Sequence, residues 1–265
     1  IRYEYFTDSA AAFEAFKAGE YTFRNENSSL QWATGYEFPS IKDGWVHKKE
    51  LPDGTIGSAQ AFIFNLRDPK FQDPAVREAI RLMFNFEWSN ETLFYGLYDR
   101  VDSFWQNSDL QARGVPTSGE LALLQPLVEE GFLDPNILTD EAVLSPTSEA
   151  SRPTDRANLR IASGLLADAG WIAGDDGLRR KDGEVLSVEF LTASPSFDRI
   201  INPYIENLER LGIKASLDRV DYAQYVERLN APSEFDMITH TMTQGFEPGT
   251  AMRQWFASET AADSS

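Results

Sequence analysis

Residues 64–86, reading FNLRDPKFQDPAVREAIRLMFNF, leave the backbone little choice of local structure. An apolar run ends at Asn65, and a loop follows that carries Pro69, Phe71 and Asp73. Pro74 then opens a helix. Its missing N–H is not needed at the first helical position, and the Asp73 carboxylate can take free N–H groups of the first turn. Ala75, Val76, Ala79, Ile80, Met83 and Phe84 recur at three- and four-residue steps and share one face. The segment therefore predicts an apolar strand, a loop and a capped helix whose apolar side lies against a core.

Upstream, Ile1, Tyr3 and Tyr5 alternate with Arg2 and Glu4, a period of two that predicts an opening strand. Asp8 is placed to cap a helix through Ala11, Ala12, Phe13, Ala15 and Phe16, ended by Gly19. Residues 20–24 predict a second short strand, running into the polar stretch from Arg24 to Ser29. Pro52-Asp53-Gly54 predicts a turn before a strand from Ala59 to Leu66. In the middle, Ser118 is expected to cap a helix through Leu121, Leu124 and Leu127, interrupted at Pro126. Residues 131–153, with Pro135, Pro146 and Pro153 among Ser and Thr, read mostly as loop.

From Asp155 the order is regular. Leu159, Ala162, Leu165, Leu166 and Ala169 form a helical stripe closed by Gly170. Gly177 and Asp182-Gly183 mark hairpin turns that lead to a strand from Val185 to Leu191. A helix over about 197–211, with Pro203 inside it or in its first turn, precedes a strand at 213–219. A helix from Asp221 through Leu229 and a strand at 235–242 follow. Strands alternating with helices predict an α/β fold with a mixed or parallel sheet.

Composition narrows the chemistry. The 265 residues include 18 Phe, 9 Tyr and 6 Trp, enough to build a sizeable core. Formal charge is -18, from 42 acidic and 24 basic residues, which does not suit a phosphate backbone; no nucleic-acid partner is expected. The absence of cysteine removes disulfides, thiolate metal sites and cysteine nucleophiles. Only His47 and His240 exist, with no HExxH pattern, and the Asp175-Asp176-Gly177 turn has Leu186 where a calcium loop needs Glu. Neither a G-x-S-x-G elbow nor a P-loop lysine pattern is present. No cofactor and no metal are expected. Forty-two acidic residues always offer carboxylate pairs, so a carboxylate-based α/β hydrolase stays open as a competing reading.

The word order around Phe64, Asn65, Pro69, Phe71, Asp73, Val76, Arg77 and Ala79 resembles the signature of family 5 extracellular solute-binding proteins, the peptide receptors of bacterial ABC importers. It departs at Lys70, where a second Pro is usual, and at Ala75, where Arg is frequent. LLADAGW at 165–171, LERLGIKASLDRVDYAQYVERL and FDMITHTMTQGFEPG resemble later family segments in the right order. FYG at 94–96 and DSFWQNS at 102–108 look closest to the oligopeptide branch linked to microcin C uptake. The resemblance implies a periplasmic binding protein-like α/β fold with a mixed sheet. Residues 1–58 would belong to the first lobe and its connection to the cleft, and 59–265 to the second lobe, cut short at its C-terminal end. It further implies a monomeric periplasmic protein, without enzyme activity, that captures oligopeptides or modified peptides and docks on a membrane permease. A non-transport interaction module on the same fold is the third reading.

Three stretches are candidates for ligand contact. Arg24, Asn25, Glu26 and Asn27, with Trp32 behind them, correspond to a family stretch at the peptide site; a solvated loop holding an ion pair is the plainer alternative. Asn65, if buried, must hydrogen-bond, and pinning the following loop is favoured over meeting a ligand. His240, Met242, Thr243, Gln244 and Phe246 lie at a strand exit where family members often place a Trp and an Asp that holds the peptide amino terminus. Here Met242, Thr243 and Gln244 stand near those places, which implies a different, larger or modified ligand.

Overall fold

The computed structural model describes residues 1–230 and 234–260. They form two compact units. One comprises residues 1–53 with 89–98, the other residues 54–88 with 99–265.

The first unit is helical. In α1 (Ser9–Lys17) the Asp8 carboxylate accepts the Ala11 N–H at 2.8 Å, and Gly19 leaves the helix with φ +80°. Ser28 caps α2 (Ser29–Thr34), and Pro39 starts the short α3 (Pro39–Lys42). The two strands expected at 1–5 and 20–24 are absent. Among the described residues of this unit there is no strand to pair with them, and an unpaired ladder leaves its N–H and C=O groups to water. Ile1, Tyr3 and Tyr5 are accordingly exposed. The unit packs on aromatic edges instead: Phe13 meets Tyr36 at 5.2 Å between centroids, edge to face, with Phe16, Tyr21, Trp32 and Phe38 around them.

The second unit is mixed α/β. It runs β1 (Ala59–Phe64), α4 (Pro74–Leu82), the first residues of α5 (Phe86–Thr92, whose part from residue 89 on belongs to the first unit), α6 (Ser118–Glu129), α7 (Arg156–Asp168), β2 (Ile172–Ala173), β3 (Arg179–Lys181), β4 (Glu184–Val185), β5 (Ser187–Thr192), α8 (Asp198–Leu211), β6 (Lys214–Arg219), α9 (Tyr222–Asn230), β7 (Met237–Met242) and α10 (Ala251–Phe256). The main sheet has the order β1-β7-β5-β6. Strand β5 is parallel to β6 and β7, and β1 is antiparallel to β7. Strands β2, β3 and β4 make a separate small antiparallel sheet.

As expected, Asp73 caps α4, accepting the Ala75 N–H at 2.9 Å, with Pro74 in its first position. Val76, Ala79, Ile80 and Met83 of its apolar face are buried with Phe71, Leu166, Tyr204, Leu208, Val188, Phe190 and Met237 in one core. Phe62, Phe84 and Tyr204 surround Phe190 or one another at 5.2–5.5 Å.

Some boundaries differ from expectation. Thr117, not Ser118, caps α6, because Thr117 and Glu120 exchange hydrogen bonds in a capping box. Pro126 sits inside α6 and Pro203 inside α8 without ending either helix. The strand expected over 185–191 breaks at Leu186: the Leu186 N–H goes to Arg179 O, while its carbonyl takes the Lys214 N–H. No turn forms at 52–54; the backbone only bends at Thr55.

Buried polar side chains fasten the loops to this core. Asn85 donates to Glu149 O and Arg152 O, Asn158 to Thr147 O, and Asn207 to Pro153 O and Met83 O. The last stretch of the proline-rich loop, from Thr147 to Pro153, is thereby pinned at four backbone carbonyls. Arg179, 6% exposed, donates to Leu211 O at 2.7 Å, Trp171 O at 3.0 Å and Ser163 Oγ at 2.6 Å. Its charge has no carboxylate partner among the described residues; it faces the carbonyl-rich ends of α7 and α8, which favour a cation. Burial lowers its pKa, although an arginine keeps its proton in proteins.

Arg179→Met strands two carbonyls and a hydroxyl, and the second unit is expected to lose about 3 kcal/mol, read as a lower urea midpoint; a loss under about 1 kcal/mol would show that water replaces the guanidinium. Tyr204 donates to Ile80 O at 2.9 Å, and burial raises its pKa above the ordinary 10. The neutral phenol is thus favoured by folding, so this stabilisation is whole below pH 10 and lost as pH climbs above it. Tyr204→Phe should cost about 1 kcal/mol at neutral pH, because Ile80 O keeps the Met83 N–H, and should flatten the alkaline fall in the urea midpoint.

Candidate functional site

In the first unit, the polar stretch after Tyr21 is organised around one carboxylate. Arg24 Nε meets Glu26 Oε2 at 2.9 Å, Tyr36 Oη donates to the same oxygen at 3.0 Å, and the Ser28 N–H donates to Glu26 Oε1. Glu26 is 4% exposed at its side chain, so its lone pairs are spent within the chain. Burial opposes the Arg24 charge, but hydrogen bonds to Glu26 and Tyr21 outweigh it and the pKa is raised. Burial, then the hydrogen bond to Glu26, pushes the Tyr36 phenol up to about 12. Asn25 and Asn27, between and beyond the pair, are exposed. Trp32, on α2, turns a ring face to Lys48, whose Nζ lies 4.3 Å from the ring centroid.

In the second unit, the topology sorts the other candidates to two edges of the sheet. Strands β5 and β7 are parallel and finish at one edge, and antiparallel β1 begins there. Ligands of open α/β sheets bind beyond such carboxyl ends. At this edge His240 and Met242 share one face of β7, opposite Ala61 and Ala59, while Thr241 lies opposite Gln60 on the other. Thr243 Oγ1 is 3.1 Å from Ser58 Oγ, the His240 ring lies 5.6 Å from the Trp255 ring at a tilt of 45°, and Trp105 Nε1 donates to Gly245 O. Phe246 is 62% exposed. The Nε2 of Gln244 is buried and meets no hydrogen-bond partner among the described residues, which is costly unless something else supplies an acceptor.

Asn65 lies at the opposite edge, roughly 20 Å away along the six-residue β1 at about 3.4 Å per residue. The structure therefore does not bring it together with residues 240–246. Its amide donates to Phe235 O at 3.0 Å and accepts the Arg67 N–H, which pins the loop to the start of β7. A groove of about 560 Å³ opens at that edge, lined by Lys70, Glu189, Lys214, Arg228 and Asp236 among others. Most of its charges are already matched: Lys70 to Asp236 at 2.8 Å, and Arg228 to Glu189 and Asp218 at 2.7 and 2.6 Å. Sequence reasoning missed Ser58, Trp105 and Trp255 at the carboxyl edge. Trp105 stands in the DSFWQNS motif, a usable signal, but its place beside Gly245 depends on the tertiary fold.

No helix among the described residues is long and apolar enough to cross a membrane. The family described as Bacterial extracellular solute-binding proteins, family 5 Middle, matches residues 1–264. The chain is 37% identical over 264 residues to a probable peptide-binding protein, YejA, of Agrobacterium fabrum, covering 98% of this chain and 42% of that protein. Among solved structures it resembles the oligopeptide-binding protein AppA of Bacillus subtilis in complex with a nonapeptide. The TM-score is 0.62 at 21% identity, over 96% of this chain and 42% of AppA. NikA of Brucella suis, solved with Fe(III)-EDTA, gives 0.61 at 21% identity, over 98% of this chain and 46% of NikA. These two likenesses agree on the periplasmic binding protein-like α/β fold. The chain spans about two fifths of the length of its curated relative. It belongs to the family 5 bacterial extracellular solute-binding proteins.

Proposed function

We propose that this chain is part of the receptor of a bacterial ABC importer, capturing oligopeptides or modified peptides in the periplasm and handing them to a membrane permease. The receptor works as a monomer, holding its ligand by contacts without making or breaking bonds. Within the family we place it in the oligopeptide branch linked to microcin C uptake, on the FYG and DSFWQNS motifs.

The observation that carries the reading is the buried Nε2 of half-buried Gln244, unpartnered among the described residues, at the carboxyl edge of the sheet. It lies on the strand exit that also carries His240, Thr243 and Phe246 and where Trp105 bonds Gly245 O. A peptide backbone is a row of carbonyl acceptors and N–H donors, and a neutral amide can satisfy it without a charge partner. Exposed aromatics supply apolar contact area around such a group. On the first unit, taken by itself, Arg24, Asn25, Asn27 and Trp32 are proposed as ligand contacts. For Arg24 the contact would be through the guanidinium edge not spent on Glu26, and Glu26, whose oxygens are taken by Arg24, Tyr36 and Ser28, positions Arg24 rather than meeting the ligand. Asn65 is assigned to loop positioning, since its amide is already matched.

In calorimetric titration of the full-length receptor with a mixed pool of short peptides, Gln244→Ala should weaken binding about 5- to 10-fold, the worth of one hydrogen bond, while the urea midpoint of the free protein does not fall, since an unmet amide is removed. Asn65→Ser should do the reverse, lowering the midpoint and sparing affinity. The 265-residue chain alone should bind at least about 100-fold more weakly than the full receptor, because it supplies only part of the contact surface. Unchanged affinity in Gln244→Ala would remove the residue from the site, and turnover of peptides by the purified receptor would replace this reading with a hydrolase.

A further inference from the structure

Lys48 is held in an unusual way for a chain of net charge -18: among the described residues its amine meets no carboxylate. Its Nζ sits over the Trp32 ring at 4.3 Å and 5.7 Å from the Tyr36 centroid, and it donates to Trp32 O at 2.6 Å. The two rings are 5.7 Å apart and tilted by 57°, so they form a corner. That corner is fixed from behind. Tyr36 is buried, packs on Phe13, and is anchored through its hydroxyl to Glu26, while Trp32 belongs to α2. The Trp32 carbonyl is one of the last of its helix and has no intrahelical N–H to accept. A π face beside a free carbonyl is a two-point receptor for a cation carrying N–H donors.

The lysine itself is held by no regular structure. It is exposed, and from residue 46 to residue 58 the chain forms neither helix nor strand. An exposed cation–π contact is worth only about two- to five-fold in an equilibrium, so another cation of the same chemistry can take its place.

We propose that the Trp32–Tyr36 corner is a binding subsite for a primary ammonium or guanidinium group of the ligand, and that Lys48 fills it until such a group displaces it. This rests on the reading of the chain as part of a peptide receptor and adds a specificity to it. Cationic peptides pass the toll of evicting Lys48, and neutral peptides leave Lys48 where it is. A lysine that merely pinned its loop would show neither response.

The test uses the full-length receptor with ¹³C-labelled lysine, titrated with trilysine and, separately, trialanine. Ring currents should hold the Lys48 ε-methylene resonance upfield in the free protein. Trilysine should return it to its ordinary position, and trialanine should not. Lys48→Met should tighten trilysine about three-fold relative to trialanine, and Trp32→Leu should erase that difference. Trilysine binding by calorimetry with the Lys48 resonance unmoved overturns the subsite and leaves the receptor reading intact, as does an equal weakening of both peptides in Lys48→Met. If neither peptide binds, the peptide reading falls, and methylammonium alone decides the subsite. An upfield methyl shift with Lys48→Met that Trp32→Leu abolishes supports it, and no shift overturns it.

Discussion

The buried charge of Arg179 sets terms that the second unit meets with backbone. A guanidinium so far from water requires acceptors, and the unit provides the last carbonyl of α8, one just beyond α7, and a hydroxyl on α7. The three can converge only if both helices end within reach of β3. Gly212 makes this possible. It turns α8 away with φ +91°, and a Cβ there would lie 2.5 Å from Gly177 O and 3.2 Å from Arg179 Cγ. One interaction thus fixes where two helices stop, how the small hairpin sheet lies on them, and where Ile213 begins the run into β6. Asn207 and Tyr204 do the same for the end of α4, through Met83 O and Ile80 O.

With helix ends fixed, strand direction decides the chemistry of the two edges of the sheet. At the amino edge of β5 and β6, charges are dense and mostly consumed by each other, and Asp236 also takes the Glu189 N–H. Such pairs hold strand starts in register but leave little for a guest. At the carboxyl edge Asp198 pairs with Arg219 through one oxygen at 3.0 Å and leaves its other oxygen unmet, while along the exit of β7 the polar groups are uncharged and the Gln244 Nε2 is unmet among the described residues. An unsatisfied buried amide nitrogen is a standing cost to folding, and under the proposed function a peptide carbonyl would meet it.

Much of this architecture was legible in the sequence because it follows from local rules. The Asp73-Pro74 start, the apolar face of α4, the stop at Gly170 and the hairpin turns before β5 each depend on residues within a few positions of one another. The failures are of two kinds. At residues 1–5 the period of two is real, but a strand also needs a neighbour, which no local pattern announces. At Ser118 two hydroxyl residues compete for one cap, and only Thr117 stands three residues before Glu120. The site divides in the same way. An ion pair between Arg24 and Glu26 and a loop-pinning Asn65 were among the readings that residue type allowed. The orphaned Gln244 amide and the lysine over Trp32 depend on groups brought together from distant parts of a unit, and no spacing rule reports them.

The acidity of the chain then acquires a more specific meaning. A net charge of -18 draws cationic solutes through its long-range field, but that field does not say where they stop. A carboxylate at the binding edge would stop them by charge, at the cost of desolvating itself. Neither candidate stretch offers one that is buried and uncommitted: Glu26 is spent on Arg24 and Tyr36, and Gln244 stands at the carboxyl edge. Under the proposed function, selection at these two stretches would rest on neutral hydrogen bonds and aromatic faces, groups that discriminate by shape and donor pattern and lose less on desolvation than a carboxylate.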